Sequence, residues 1–266
     1  MNKTNIDRRH FLATAAVAGA GLATAAARDW TGKNPTRYPD PDLISLDPRF
    51  DKYKIGNTPV QRLYTSPNAL WTEGCAWNGV GRYLVFSDIP NDLQLRWVED
   101  DNRVTVFRKP SGNSNGNTFD YRGRQISCQH GHRRVVRYES DGGVTVLADG
   151  FDGRRLNIPN DVAIDPEGRV WFTDPYYEGA GGPWSEDRAN KDLDHDSVYR
   201  LDPRPDGSWS IDRVTFDTTR PNGLLFSLDH KTLYVAQSGR GPEARRRAPV
   251  RFRVLVPPGG VVAGYL

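Results

Sequence analysis

From residue 72 onward, apolar and polar positions alternate with period two in short runs, each closed by turn residues. Thr72-Glu73-Gly74-Cys75-Ala76-Trp77 leads through Asn78-Gly79-Val80-Gly81 into Arg82-Tyr83-Leu84-Val85-Phe86. Ser114-Asn115-Gly116-Asn117-Thr118-Phe119-Asp120 leads through Tyr121-Arg122-Gly123 into Gln125-Ile126-Ser127-Cys128. Pro159-Asn160-Asp161-Val162-Ala163-Ile164-Asp165 is followed by Pro166-Glu167-Gly168 and Val170-Trp171-Phe172-Thr173. Pro221-Asn222-Gly223-Leu224-Leu225-Phe226-Ser227 is followed by Leu228-Asp229-His230 and Thr232-Leu233-Tyr234-Val235. The pattern predicts strands throughout and no amphipathic helix after residue 30.

These are copies of one unit. A third strand is predicted at Gln94–Trp97, Arg134–Tyr138 and Ser197–Leu201, and a fourth at Val104–Phe107 and Val144–Leu147. Units of four strands starting at residues 73, 115, 160 and 222 predict an all-β chain whose blades make up a β-propeller. The longest spacing holds a Gly/Asp-rich insertion, Glu178–Asp196, expected to be a surface loop.

The repeat also predicts where polar side chains meet. The innermost strand of each blade borders the central channel, so Glu73, Asn115, Asn160 and Asn222, equivalent in phase, are expected around one axis. One carboxylate and several amide oxygens are hard ligands suited to Ca²⁺, Mg²⁺ or Mn²⁺. A single Asn-Gly or Asn-Asp is a common turn dipeptide. Four copies in phase, one of them Glu, point instead to a metal site.

Composition adjusts this picture only slightly. The 266 residues are 37% apolar and rich in Gly (26), Pro (19) and Trp (7), as an all-β chain with many turns should be. A net charge of +3 makes no case for a nucleic-acid partner. No apolar run reaches the roughly 18 residues of a membrane span. Cys75 and Cys128 lack Cys or His neighbours at zinc-ligand spacing, and two separate buried thiols are expected rather than a disulfide.

Residues 1–27 differ from the rest. Asp7-Arg8-Arg9-His10-Phe11-Leu12, an Ala/Gly-rich stretch to Leu22, and Ala25-Ala26-Ala27 resemble a twin-arginine export signal cleaved near Ala27. Export by the twin-arginine machinery to the periplasm is expected. Residues 28–59 read as an N-terminal extension and 60–244 as the propeller.

The blade motifs resemble the senescence-marker-protein/gluconolactonase family, its bacterial branch in particular. Thr72-Glu73-Gly74-Cys75-Ala76-Trp77 is similar to the family's Glu-Gly-Pro-x-Trp, with Cys75 at the Pro position. Asn157-Ile158-Pro159-Asn160-Asp161 and Pro221-Asn222-Gly223-Leu224 resemble Asn-x-Pro-Asn-Asp and Pro-Asn-Gly-Leu. Ser114-Asn115-Gly116 and Cys128–Val135 match as well. The resemblance implies a six-bladed propeller, of which about four blades are represented, that hydrolyses a sugar lactone to the aldonic acid. It implies one divalent metal, Ca²⁺ first, with Zn²⁺, Mn²⁺, Mg²⁺ or Fe²⁺ as alternatives. Glu73, Asn160 and Asn222 carry over as ligands, Asn115 and Asn157 as substrate contacts, and His130 as a weak catalytic candidate. The family's fourth ligand, the Asp of a Pro-Asp-Gly motif, has no counterpart after Asn222.

Other functions fit the same motifs. These are an ester or phosphotriester hydrolase of the same fold, a non-catalytic binding propeller, and an inactive lactonase fragment. The last is suggested by residues 245–266, an Arg/Pro/Gly-rich tail whose composition departs from the blades, as a frameshift near codon 244 would produce.

Overall fold

The computed structural model describes residues 28–31, 33, 37–177, 191–238 and 250–253; the signal-like segment and most of the tail lie outside them. The chain divides into two units, one ending at Leu63 and the other beginning at Tyr64.

In the first unit, Arg28 donates to both oxygens of Asp40 (2.8 and 2.9 Å) and to the Val60 carbonyl (2.7 Å). Asp40 also accepts the Val60 and Asp42 amides. The guanidinium and these N–H donors hold the Asp40 carboxyl well below the usual carboxylate range. A short 3₁₀ helix, Pro48–Tyr53, has Asp47 as its cap, accepting the Arg49 amide at 2.8 Å.

The second unit consists of antiparallel sheets whose strand order is their chain order. The first contains β1 (Thr72–Asn78), β2 (Tyr83–Asp88), β3 (Leu93–Val98) and β4 (Arg103–Arg108). The second contains β5 (Ser114–Phe119), β6 (Gln125–Gln129), β7 (Arg134–Tyr138) and β8 (Val144–Ala148). A small hairpin, β9 (Gly150–Phe151) and β10 (Arg154–Arg155), leads to the third sheet. That sheet contains β11 (Val162–Ile164), β12 (Val170–Asp174), β13 (Ser197–Pro203) and β14 (Trp209–Arg213). The fourth holds β15 (Pro221–Phe226), β16 (Thr232–Gln237) and β17 (Val250–Arg253). Successive sheets pack first strand beside first strand, β1 by β5, β5 by β11 and β11 by β15. This is the blade arrangement expected from the repeat.

In the first three sheets the first turn is organised by the side chain that closes the first strand. Asn78 accepts the Val80 and Gly81 amides, Asp120 those of Arg122 and Arg124, and Asp165 those of Glu167 and Arg169. Such side-chain acceptors stabilise tight turns because they satisfy N–H groups the ladder leaves free.

The cores lie between blades. Ile126, Cys128 and Val135 of the second sheet meet Val162, Phe172, Tyr199 and Leu201 of the third. Trp171 and Val198 of the third meet Leu224, Leu233 and Val235 of the fourth.

Three expectations change. Both thiols are free, but only Cys128 is buried; Cys75 is exposed. Alternation assigned Cys75 to a face of β1 without revealing whether anything covers it, and Trp77 on the same face is also exposed. The insertion is not wholly surface: its described end, 191–196, sends Leu193 into the core (2% exposed). The 3₁₀ helix and β14 were missed, being short or weakly alternating. Within the tail, Val250–Arg253 pairs with β16 as the last strand of the fourth sheet. Among the described residues no helix is long and apolar enough to cross a membrane.

Candidate functional site

The repeat places its polar residues at one level, where the first strands begin. β1, β5 and β15 each slip by one residue there, between Glu73 and Ala76, Ser114 and Asn117, and Pro221 and Leu224. Such a bulge re-aims side chains at the end of a ladder. Asn160 lies just ahead of β11, with its N–H donating to the Thr173 carbonyl at 2.8 Å.

Close main-chain approaches string these positions together. A Cβ on Gly74 would fall 1.8 Å from the Asn115 carbonyl oxygen, and one on Gly116 2.4 Å from that of Asn160. Gly74 also takes φ +64°, so glycine is required there twice over. Gly116 N–H donates to the Asn160 carbonyl (2.8 Å), and Leu224 N–H donates to Asp161 Oδ2 (2.9 Å). Glu73 lies near enough for its charge to help raise the Asp161 carboxyl, after the larger effect of burial. Glu73, Asn115, Asn160 and Asn222 therefore follow one another on four neighbouring blades, as the repeat implies.

Their side chains differ in what they have left to offer. Glu73 accepts the Trp71 indole N–H on one carboxylate oxygen. Asn222 gives its NH₂ to the Tyr177 hydroxyl (2.8 Å), which leaves Oδ1 for another partner. Asn160 is 5% exposed, and its side chain bonds to none of the described residues. Asn115 is spoken for on its nitrogen, which lies 3.2 Å from His130 Nε2. Among the described residues no three His, Cys, Asp or Glu side chains gather as a metal cluster, so a cation here would need amide oxygens among its ligands.

Two further candidates from the sequence are bonded into the framework. His130 is buried, which holds it neutral with its pKa down to about 3, and it bonds the Pro159 backbone. With the proton on Nδ1 facing the Pro159 carbonyl, Nε2 accepts from Asn115. Its lone pair is thus occupied. Asn157 donates its side-chain N–H groups to the carbonyls of His195 (2.9 Å) and Asp174 (3.3 Å) and its backbone N–H to Asp174 Oδ2 (2.8 Å). Burial drives the Asp174 carboxyl up to about 8. Oδ1 of Asn157 and Oδ1 of Asp174 are both buried without a hydrogen-bond partner.

Sequence reasoning overlooked Thr173, Asp161 and Tyr177, which hold the asparagines in place. Asp161 had one available signal: Asp follows Asn160, where Gly follows Glu73, Asn115 and Asn222.

Residues 71–241 match the family model described as SMP-30/Gluconolactonase/LRE-like region. A gluconolactonase of Zymomonas mobilis subsp. mobilis is 31% identical over 245 residues, covering 85% of this chain and 64% of that protein. Lactonohydrolase oryL of Aspergillus oryzae is 32% identical over 100 residues, 38% of this chain and 21% of its own length. The solved structure of a gluconolactonase from Xanthomonas campestris superimposes with a TM-score of 0.59 at 40% identity, covering 66% of this chain and 57% of that one. The chain spans less than two thirds of the length of each of these relatives.

Proposed function

The chain belongs to the SMP-30/gluconolactonase/LRE-like family, and from that membership we propose that it serves metal-dependent hydrolysis of a sugar lactone to the corresponding aldonic acid. The observation that carries this reading is Asn160, a largely buried residue whose side-chain amide has no hydrogen bond to the described residues and so stays available to a ligand, between neighbouring blades that begin with Asn115 and Asn222. Glu73, Asn160 and Asn222 would hold the ion through one carboxylate and two amide oxygens, a hard donor set that favours Ca²⁺.

Such a cation supplies Lewis acidity at the lactone carbonyl. The protein's own part is orientation. Asn115, its NH₂ held by His130, has its amide oxygen left to accept a sugar hydroxyl. In the reaction, water oxygen bonds to the acyl carbon and the ring C–O bond breaks. One water proton ends on the ring oxygen; the other leaves as the new acid ionises. Gly112-Asn113-Ser114-Asn115-Gly116 matches Gly-x-Ser-x-Gly in sequence, but Ser114 opens strand β5, is fully buried and has its hydroxyl against Gln94 and Ser127, which argues against an exposed nucleophile elbow.

The test is calorimetric titration of Ca²⁺ into the wild type and Glu73→Gln, with hydrolysis of gluconolactone measured with and without EDTA. Glu73→Gln should weaken binding most among the three ligand variants, because Glu73 brings the only charge. Unchanged affinity would remove Glu73 from the ligand set, and EDTA-insensitive hydrolysis would end the metal reading. The twin-arginine segment supports export to the periplasm. Replacing Arg8 and Arg9 with Lys should then leave precursor in the cytoplasm, and normal export of that variant would refute the route.

A further inference from the structure

Thr173 joins two of the proposed ligand positions. It is fully buried, and its main chain bonds the Asn160-Asp161 segment on both sides: Asn160 N–H to Thr173 O (2.8 Å) and Thr173 N–H to Asp161 O (3.0 Å). Its hydroxyl accepts the Asp161 N–H at 3.0 Å and donates to the Asn222 carbonyl at 2.7 Å. Two residues beyond Asn222, the Leu224 N–H donates to Asp161 Oδ2 at 2.9 Å, while Asp161 Oδ1 accepts the Val162 N–H at 2.9 Å. The Asn222–Leu224 segment is therefore gripped at both ends by residues bonded directly to Asn160 or adjoining it.

The same device occurs two junctions earlier, between the first and second blades. Ser87 donates its hydroxyl to the Asn115 carbonyl at 2.8 Å. At the junction between them the corresponding residue is Cys128, without a hydroxyl, and the Gly116 N–H makes the tie to Asn160 instead. The grip of Thr173 is not needed to hold the blades together. Trp171, Val198, Leu224, Leu233 and Val235 already pack that junction.

We propose that Thr173 and Asp161 are positioning residues that set the distance between Asn160 and Asn222, and hence the affinity of the site for a divalent cation. This rests on the metal reading given above. The physical demand is tolerance: groups that bind a metal must be held within about 0.5 Å, and the residues supporting them commonly govern affinity 10–100-fold. Two asparagines on separate blades have no such precision unless something bridges the blades at their level. A hydroxyl that accepts from one segment and donates to the other does so.

The experiment uses the full chain and Ca²⁺ as probe. Thr173→Val has nearly the same shape without the hydroxyl; Thr173→Ser keeps the hydroxyl. Calorimetry should show Thr173→Val binding Ca²⁺ about tenfold more weakly, with Thr173→Ser within about twofold of the wild type. Hydrogen exchange at the Leu224 amide should quicken in Thr173→Val alone. Should Thr173→Val fail to fold, Asp161→Asn gives up one of the two acceptors at similar shape and should weaken Ca²⁺ likewise. Wild-type affinity in Thr173→Val, or equal loss in both Thr173 variants, would overturn the inference while leaving the metal reading intact. A wild type that binds no Ca²⁺ would overturn both.

Discussion

Asn115 and His130 form a fixed pair: the asparagine NH₂ donates to His130 Nε2 at 3.2 Å, while the other ring nitrogen is turned to the Pro159 backbone. A histidine whose lone pair is taken orients its neighbour more readily than it accepts a proton from water. His130→Gln should therefore raise KM for a lactone and lower kcat less than tenfold, because Asn115 loses its set orientation. Loss of a general base costs about 10²–10⁴-fold. Steady-state kinetics showing a kcat loss in that range would return His130 to the chemistry.

Two buried groups give the fold an unusual pH profile. His130 falls to about 3 in the folded state against 6.5 unfolded, so the unfolded chain binds the extra proton between those values and stability rises with pH there. Asp174 rises to about 8 from 3.8, chiefly through burial, with Asp196 adding to the shift and Arg133 opposing it. There the folded chain holds the extra proton, and stability falls as pH rises from about 4 to about 8. The two slopes oppose each other below about 6.5, and above it only the fall remains, up to about 2 kcal/mol by pH 8. Asp174→Asn, shaped like the protonated acid, should flatten that alkaline limb. Urea unfolding at pH 6.5 and 8 checks it; an unchanged slope in the variant would show that Asp174 does not carry it.

Gly116→Ala tests the contact between the second and third blades. The added methyl would lie 2.4 Å from the Asn160 oxygen and 2.6 Å from Asp161 Cα, backbone atoms that cannot turn aside. Forcing a methylene into a packed site costs about 1–3 kcal/mol, and the loss should be at the upper end here. Gly56→Ala, with nothing within 4 Å of the new methyl, should change stability by less than about 0.5 kcal/mol. Thermal melts compare them, and equal effects would contradict the geometry.

Much of this was legible in the sequence because a repeat reports both fold and site. Period-two alternation located β7 residue for residue and most other strands within one or two positions. The phase of Glu73, Asn115, Asn160 and Asn222 located the level at which the blades meet. What stayed hidden depends on partners distant in the chain. Thr173 reads as an ordinary β-branched strand residue until Asn222, 49 positions on, is seen to accept its proton. The hold that the carbonyls of Asp174 and His195 have on the Asn157 amide likewise rests on partners far along the chain. The exposure of Cys75 depends on what lies beside β1, which alternation alone does not encode.

The turn acceptors yield the last prediction. Asp120 and Asp165 are equivalent: each accepts two turn amides and the Nε of the arginine four residues on, Arg124 at 2.8 Å and Arg169 at 2.6 Å. Both arginines keep a second acid, Glu139 at 3.0 Å and Glu167 at 3.1 Å. They differ in one bond. Asp165 Oδ2 also accepts the indole N–H of Trp171 at 2.8 Å, a ring with no solvent exposure, whereas Ile126 occupies that position in the second blade. Removing the acid strands a buried donor in one blade and none in the other, at a cost of about 1–3 kcal/mol. Asp165→Ala should therefore destabilise the chain more than Asp120→Ala by about that amount. Introducing Trp171→Phe, which deletes the donor, should erase most of the difference, since replacing both partners leaves nothing unsatisfied. Urea unfolding of the four variants gives the comparison, with the Trp171→Phe cavity measured on its own. Equal losses at Asp120 and Asp165 would mean the indole finds another acceptor, and the turn, not the tryptophan, would then account for the aspartate.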